Sequence, residues 1–396
     1  MKMRRMMKLK WLPLLMASSV GAMSAHAACT ADAELLVGSY TQGKSQGIYR
    51  LQFDSESGRI TPEPLQVFKA ANPSWLTLSK DQSRLFVVNE NGQGQADVVG
   101  RVSSIAIDPK THALSLVNQV KTLGEEPTHS GLSADEKYLF IANYGVHEDP
   151  GGSLAVVPVN ADGQLQPVTQ MSSHQPSRIN PERQMSAHVH SVVSSPDGKF
   201  VYASDLGADK VFVYRYDPVA NPEHPLVAAT PTAIELPAGS GPRHLLFSRD
   251  GKHAYLTTEM SAQVFVFDYD NGQLKQRQTL DLAHGMPAQN RAAGALHASA
   301  DGKFLYVSNR GKANELLVFA INPANGELSE IQRRSVDGDH PREFTLSPNG
   351  KFVLIANQMS NEIVVVERDP VTGKLGKTLQ KLAMDAPSDV KFIHCP

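Results

Sequence analysis

The segment FSRDGKHAYLTTE, residues 247–259, contains a Ser, a tight Asp-Gly turn and a hydrophobic strand, and this pattern recurs along the chain. Five further copies align on the turn: LSKDQSRLFVVNE (78–90), LSADEKYLFIANY (132–144), SSPDGKFVYASDL (194–206), ASADGKFLYVSNR (298–310) and LSPNGKFVLIANQ (346–358). Successive turn positions, from Asp81 to Asn349, are 54, 62, 53, 51 and 48 residues apart. Repeats of about 40 to 50 residues that each offer four short strands predict a β-propeller.

The repeat around residues 242–282 reads as a four-stranded antiparallel meander. Its runs Pro242–Phe247, His253–Thr258, Gln263–Asp268 and Gln276–Leu282 are separated by turns. Asp-Gly and Asn-Gly pairs favour the positive φ of tight hairpins. The sequence therefore predicts an all-β fold whose blades have four antiparallel strands each.

A seventh blade is predicted from the two ends of the chain. Glu34–Tyr40 matches a second strand of the repeat, and Ala386–Phe392 matches a first strand. Pairing them closes the ring and removes the exposed sheet edges that invite aggregation. Residues 28–396 divide into seven blades of roughly 53 residues, so we expect one seven-bladed propeller domain.

Residues 1–27 have the features of a secretory signal peptide. Five basic residues precede the apolar run 11–23, and Ala25-His26-Ala27 forms a cleavage site. The apolar run is too short to span a bilayer, so we expect a soluble periplasmic protein. A lipoprotein anchor on Cys29 is the weaker alternative, because His26 stands where a branched aliphatic residue is normally required.

The two cysteines, Cys29 and Cys395, flank the halves of the split blade. In an oxidising compartment this position predicts a disulfide across the ring closure, against the alternative of two free thiols. Removal of the signal peptide leaves 33 basic and 40 acidic residues, a net charge of −7. That charge excludes a nucleic-acid footprint. The default expectation for the oligomeric state is a monomer.

Strand alternation within the repeat singles out two columns of residues at one mouth of the central channel. In each hairpin the residue seven before the turn anchor and the residue nine after it are predicted to face each other. The first column is Ser74, Thr128, His190, Arg243, Gly294, Arg342 and Ser388. The second column is Glu90, Tyr144, Leu206, Glu259, Arg310, Gln358 and Tyr40. Their chemistry varies from blade to blade, which favours a functional site on a symmetric scaffold; the alternative is a solvated channel lining.

These residues resemble the seven-bladed lactonase family, which includes bacterial propeller-type 6-phosphogluconolactonases and the fungal carboxymuconate-lactonising enzyme. The similarity extends over nearly the whole mature chain, and its most specific segments are residues 180–191, 241–244, 257–259, 295–311 and 341–352. The resemblance implies that His190, Arg243, Glu259 and Arg310 are catalytic. Candidate substrate-binding residues are Arg342, Gln358, Glu90, Tyr144 and Arg183.

Lactone hydrolysis requires an activated water, a stabilised oxyanion and a grip on the substrate. A carboxylate or imidazole can accept the proton of the water, and arginines supply forked cationic donors. The base is either His190 or Glu259. The alternative for Arg243 and Glu259 is that they form a simple ion pair. The alternative for His190 is that it is a hydrogen-bonded residue of the channel lining.

Other sequence features limit the chemistry. The sequence offers no nucleophilic Ser elbow and no P-loop, and the pair formed by His188 and His190 lacks an evident third ligand, so we expect neither metal nor cofactor. His244 and His297 have the opposite strand parity and are predicted to pack between blades. Ala295 stands where family members usually carry an acid, and Thr258 where they carry an Asn. The Ala295 departure favours the alternative of a periplasmic propeller that binds a ligand or a protein without turnover.

Overall fold

The computed structural model describes residues 32–393 except 93–94, 96–97 and 146–152. The predicted signal peptide and both cysteines, Cys29 and Cys395, lie outside the described residues. Among those that are described, no helix is long and apolar enough to cross a membrane.

Twenty-nine strands and one short 3₁₀ helix, Ala288–Asn290, make up the described fold. In chain order the strands are β1 Asp32–Ser39, β2 Gly47–Asp54, β3 Arg59–Ile60, β4 Gln66–Lys69, β5 Pro73–Leu78, β6 Arg84–Asn89, β7 Arg101–Ile107, β8 Leu114–Lys121, β9 Pro127–Leu132, β10 Tyr138–Asn143, β11 Ser153–Pro158, β12 Gln170–Ser173, β13 Val189–Ser194, β14 Phe200–Asp205, β15 Lys210–Tyr216, β16 Leu226–Glu235, β17 Pro242–Phe247, β18 His253–Thr258, β19 Gln263–Asp270, β20 Gln273–Asp281, β21 Ala293–Ala298, β22 Phe304–Asn309, β23 Glu315–Ile321, β24 Leu328–Ser335, β25 Pro341–Leu346, β26 Phe352–Asn357, β27 Glu362–Arg368, β28 Leu375–Ala383 and β29 Pro387–Ile393.

The strands form seven antiparallel sheets, which confirms the predicted seven-bladed propeller. Six sheets are four-stranded meanders in chain order. In the seventh, β29 pairs with β1, β1 with β2, and the outer position is divided between β3 and β4. The chain therefore closes the ring by pairing its first and last described strands, as expected. The first strands of neighbouring blades contact one another around the complete ring.

The hydrophobic core lies between blades rather than within any one of them. Second strands such as β26 are buried on both faces, because each sheet is covered by a neighbour on either side. In one such layer Tyr202 of β14 packs with Leu256 and Phe265 of the next blade. Fourth strands such as β16 are largely exposed at the rim. Burial therefore decreases outward from the inner strands to the rim.

One face of the ring carries the recurring Ser-x-Asp turns, here called the turn end. In blade β21–β24 the Ser299 hydroxyl donates to Asp301 Oδ1 at 2.6 Å and accepts the backbone N–H of Phe304 at 3.0 Å. The Gly302 that follows has φ +70°, the conformation for which the Asp-Gly pair is suited. The recurring sequence thus specifies one hairpin geometry six times.

Candidate active site

The opposite face, here called the mouth, is where the second strands end. The residue after each second strand donates its backbone N–H to the carbonyl of the residue just before the first strand of its blade. For Glu259 the acceptor is Gly241 O at 2.7 Å, and for Arg310 it is Ala292 O at 2.8 Å. The same bond recurs for Tyr40, Glu90, Tyr144, Leu206 and Gln358. The second predicted column therefore does surround one mouth.

The first column coincides with a β-bulge in every blade. In β13, Val189 pairs with Asp205 and Ser191 with Ser204, so that His190 is the extra residue. The register shifts at the equivalent place in all seven blades. The expectation that the two columns face each other directly is therefore wrong. A bulge releases one residue from the ladder and redirects its side chain, which is how both columns still meet at the mouth.

Glu259 is the centre of the site. Arg183 Nη2 donates to its Oε1 at 2.7 Å, Arg310 Nη2 donates to its Oε2 at 2.7 Å, and Arg243 Nε lies 3.3 Å from Oε2. Arg243 is 1% exposed, so this is a charge cluster largely withdrawn from water. Burial alone would raise the pKa of the Glu259 carboxyl, but the charges of Arg310, Arg243 and Arg183 hold it well below its usual range. Glu259 is consequently an ionised carboxylate and a weak proton acceptor.

His190 lies beside this carboxylate as a neutral imidazole. Its Nε2 is 4.0 Å from Glu259 Oε2, and its buried Nδ1 has no hydrogen-bond partner. Burial, followed by the charge of Arg243, holds the pKa of His190 well below its usual value. The rings of Tyr144 and His244 contact it edge-on, with centroids 5.5 and 5.2 Å away. The nitrogen available to a water at the mouth is therefore Nε2, next to Glu259.

Arg183 reaches the site from the long loop between β12 and β13. Asp205 anchors both ends of this loop, because it binds the His174 ring at 2.8 Å and accepts the backbone N–H of His188 at 2.8 Å. Gly207 lies under the loop, where any side chain would collide with the backbone of Ser186. The loop is thus fixed against its blade, and Arg183 is presented over Glu259 with its side chain 41% exposed.

Asp209 connects the Arg183 loop to the strand of Arg243. Its Oδ1 accepts Gln184 Nε2 at 2.7 Å and the backbone N–H of Gly241 at 2.9 Å, and its Oδ2 accepts the N–H of Gly239 at 2.8 Å. Gly241 in turn accepts the N–H of Glu259. One buried carboxylate therefore sets the relative positions of three elements that carry the charge cluster.

A second group at the mouth contains Glu90, Arg342 and Tyr40. Tyr40 donates its hydroxyl to Glu90 Oε2 at 2.8 Å, and Arg342 Nη2 lies 3.4 Å from the same oxygen. The Arg342 guanidinium is also 5.1 Å from the centre of the Tyr40 ring. Tyr144 belongs to the first group, since its hydroxyl accepts Arg183 Nη2 at 3.0 Å. Gln358 lies at the mouth with its side-chain oxygen buried and without a partner.

Two side chains that the sequence did not single out, Trp75 and His129, lie in the channel beside His244. His129 stacks on Trp75 at 4.1 Å, and His244 contacts both rings, at 5.5 and 5.3 Å. Trp75 and His129 belong to blades that are not adjacent to that of His244, so these contacts cross the channel. The prediction that His244 packs between blades is therefore wrong, because the bulge at Arg243 reverses its parity. His297 does contact the adjacent blade, through Glu343 Oε1 at 2.7 Å.

Several side chains at the mouth contain a buried polar atom without a hydrogen-bond partner. Arg243 Nε, Arg310 Nε, His190 Nδ1 and Gln358 Oε1 are buried without hydrogen-bond partners. Buried polar groups normally have hydrogen-bond partners, so the unpaired atoms at the mouth favour the binding of a polar ligand. Within the described part of the chain no three His, Cys, Asp or Glu side chains form a metal-binding group. Ala295 is buried in an inter-blade core cluster, so this chain contributes no acid at that position.

Comparisons with known proteins agree with this architecture. The profile of the family described as "Lactonase, 7-bladed beta-propeller" matches residues 34–392. The chain is 33% identical over 360 residues to the 6-phosphogluconolactonase of Formosa agariphila, covering 90% of this chain and 99% of that one. It is 31% identical to the 6-phosphogluconolactonase of Bacillus subtilis, covering 90% and 97%.

Among solved structures, the periplasmic gluconolactonase of Pseudomonas aeruginosa superposes with a TM-score of 0.89. It is 54% identical, and the alignment covers 92% of this chain and 100% of that one. A putative 6-phosphogluconolactonase from Bacteroides fragilis gives a TM-score of 0.82 at 36% identity, covering 92% and 99%. The similarity thus includes the whole ring and not a few blades.

Proposed function

The chain belongs to the lactonase family of seven-bladed β-propellers, and from this we propose that it hydrolyses the ester bond of an unphosphorylated sugar lactone. The observation that carries the proposal is the Glu259 carboxylate, held by three arginines next to a neutral, buried His190 at the mouth. Relatives named for gluconolactone and 6-phosphogluconolactone support a lactone as the substrate class.

We assign the role of base to His190. Its imidazole is neutral at physiological pH, because burial lowers its pKa, and it can accept a proton from a water that attacks the lactone carbonyl carbon. Glu259 is assigned no proton transfer, because its two oxygens already accept hydrogen bonds from Arg183 and Arg310. Its carboxylate, 4.0 Å from Nε2, stabilises the imidazolium once it forms. Because Glu259 lies beside the nitrogen that accepts the proton, it acts on the imidazolium through its charge and not by orienting the ring.

The arginines stabilise the negative charge that develops on the carbonyl oxygen. Arg310 retains a buried Nε–H without a hydrogen-bond partner, and the Arg243 guanidinium contacts Glu259 through Nε at 3.3 Å. Cationic donors are most effective where water is excluded. When the tetrahedral intermediate collapses, the ring C–O bond breaks and the imidazolium returns its proton to the departing hydroxyl oxygen. The product is the open-chain hydroxy acid, and His190 is neutral again.

Export supports an unphosphorylated substrate. The predicted signal peptide favours export from the compartment where sugar phosphates are made, and a similar protein of Pseudomonas aeruginosa is described as periplasmic. We propose further that Cys29 and Cys395 form a disulfide in the exported protein. Non-reducing mass spectrometry of protein from the periplasm should give a mass lower by two hydrogens, and two alkylatable thiols would contradict it.

The proposal is tested with the purified mature protein, by comparing kcat/KM for gluconolactone and 6-phosphogluconolactone together with cell fractionation. We expect turnover with a preference for gluconolactone, and a loss of at least about tenfold in kcat for His190→Gln. Glu182→Gln, an exposed change beside Arg183, is the matched control. Binding of lactones without hydrolysis would favour a non-catalytic propeller. A cytosolic protein that strongly prefers the phosphorylated lactone would overturn the assignment.

A further inference from the structure

We propose that Glu90 is the residue that sets substrate specificity, by excluding a phosphate from the half of the mouth opposite Glu259. The inference rests on the proposed lactonase function and concerns which lactone the mouth accepts. It is carried by the difference between the two carboxylates of the site.

The two carboxylates are balanced differently by the arginines. Glu259 contacts Arg183, Arg243 and Arg310, which leaves an excess of positive charge around it. Glu90 forms an ion pair with one arginine, Arg342, among the contacts seen in the described residues, and the two charges of this pair cancel. An oxyanion is attracted to the arginines around Glu259, whereas the Glu90–Arg342 pair has no net charge to attract an anion.

Arg342 is the arginine that a substrate phosphate would otherwise bind. It is the one mouth arginine, among the described residues, without a contact to Glu259. Burial alone would lower the pKa of Arg342, but Tyr40, Glu90 and Glu259 raise it, so the Arg342 guanidinium is protonated. A phosphate that approached this guanidinium would come next to the Glu90 carboxylate, whose Oε2 lies 3.4 Å away. Like charges brought together in this way oppose binding strongly.

Glu90 suits a sugar hydroxyl instead. Tyr40 and Arg342 both bind its Oε2, which leaves Oε1 as the second acceptor oxygen of the carboxylate. The Glu90 side chain is 14% exposed, so part of it is accessible to a ligand at the mouth. An ionised carboxylate only accepts hydrogen bonds. It can therefore bind the O–H of an uncharged sugar and cannot bind a phosphate dianion.

The test is the ratio of kcat/KM for 6-phosphogluconolactone to kcat/KM for gluconolactone. Glu90→Gln keeps an oxygen for Tyr40 and removes the charge, so the ratio should rise at least about tenfold over the parent protein. Tyr40→Phe removes the hydrogen bond between Tyr40 and Glu90 but keeps the charge of Glu90, and its ratio should stay within about twofold of the parent. Glu182→Gln removes a negative charge from the exposed surface near Arg183 and should likewise leave the ratio unchanged.

Arg342→Met provides the reciprocal experiment and remains informative if Glu90→Gln does not fold. It leaves the Glu90 charge uncompensated, so the ratio should fall below that of the parent protein. An unchanged ratio in Glu90→Gln, or a rise in Arg342→Met, overturns the role of Glu90 while lactonase activity stands. Absence of hydrolysis of both lactones by the parent protein would instead refute the proposed function.

Discussion

At the turn end of the blades, six Ser hydroxyls donate to the Asp or Asn two residues later at 2.5–2.7 Å. At the mouth, by contrast, no two blades offer the same pair of side chains in the two columns. The same strands connect both ends, so the two ends differ in whether their side chains repeat from blade to blade and not in their strand arrangement. Repeated residues maintain the hairpins, and the residues that differ from blade to blade form the charge cluster.

The two ends should therefore respond differently to mutation, and the mouth should give the largest loss of activity. We expect Arg243→Ala and Glu259→Gln each to lower lactonase kcat/KM at least about tenfold in protein that is still folded, since a lost transition-state contact costs more than about 1.4 kcal/mol. Circular dichroism and gel filtration verify the fold. Near-parental hydrolysis by both variants would abolish the contrast between the two ends.

As the pH is lowered, the mouth should begin to lose its contribution to stability at a higher pH than the turn end does. Burial lowers the pKa of His129 to about 3 and those of His190 and His244 well below 6.5. Below pH 6.5 the unfolded chain binds protons that the folded protein does not, so stability falls by up to about 1.4 kcal/mol per pH unit for each histidine. The turn Asp residues, whose pKa values are lowered, contribute stability that is lost only below about pH 4.

Thermal unfolding measured from pH 8 to pH 5 tests this order. We expect the melting temperature to decrease as the pH is lowered below 6.5. The decrease should be smaller in the His129→Gln variant. The rate of hydrolysis in folded protein should hold through the same interval, because His190 stays neutral. A melting temperature independent of pH down to about pH 5 would contradict the buried neutral histidines.

A smaller loss of activity is expected at Asp209, which touches neither column. Asp209→Asn exchanges one acceptor oxygen for a donor and weakens the links to Gln184, Gly239 and Gly241. We expect kcat to fall about three- to tenfold with little change in KM, because the charge cluster is displaced and not removed. Asp217→Asn is the surface control. A loss of stability with unchanged kcat would assign Asp209 a structural role alone.

The smallest effect is expected from a change at the turn end. Asp301→Ala removes the hydrogen bond from Ser299 and should lower the free energy of unfolding by about 1 kcal/mol. Because the turn is on the opposite face from Glu259, kcat/KM should stay within about twofold of the parent value. Denaturant unfolding and the lactone assay on the same preparation measure both. A large kinetic defect would show that the two ends are coupled.

The sequence predicted most of the fold, because the repeated turn fixes strand order, and the observed strands Pro242–Phe247 and His253–Thr258 match it. It also brought His190, Arg243, Glu259 and Arg310 to one mouth, since the mouth residues keep a fixed distance from the turn. Cross-strand register could not be predicted: a bulge adds one residue without a distinctive residue type, and it moved His244 into the channel. Trp75 and His129 were missed for the same reason.

The last described strand, β29, supplies the inner wall of the closing blade, and its Asp389 accepts the backbone N–H of Leu76 in the blade beyond. Every residue assigned to the charge cluster precedes it in the chain. A polypeptide that stops a few per cent short would thus contain the full chemistry on an open ring, with β1 presenting an unpaired edge to other chains. A chain that includes β29 closes the ring and removes that edge, so ring closure depends on a strand that contributes no residue to the charge cluster.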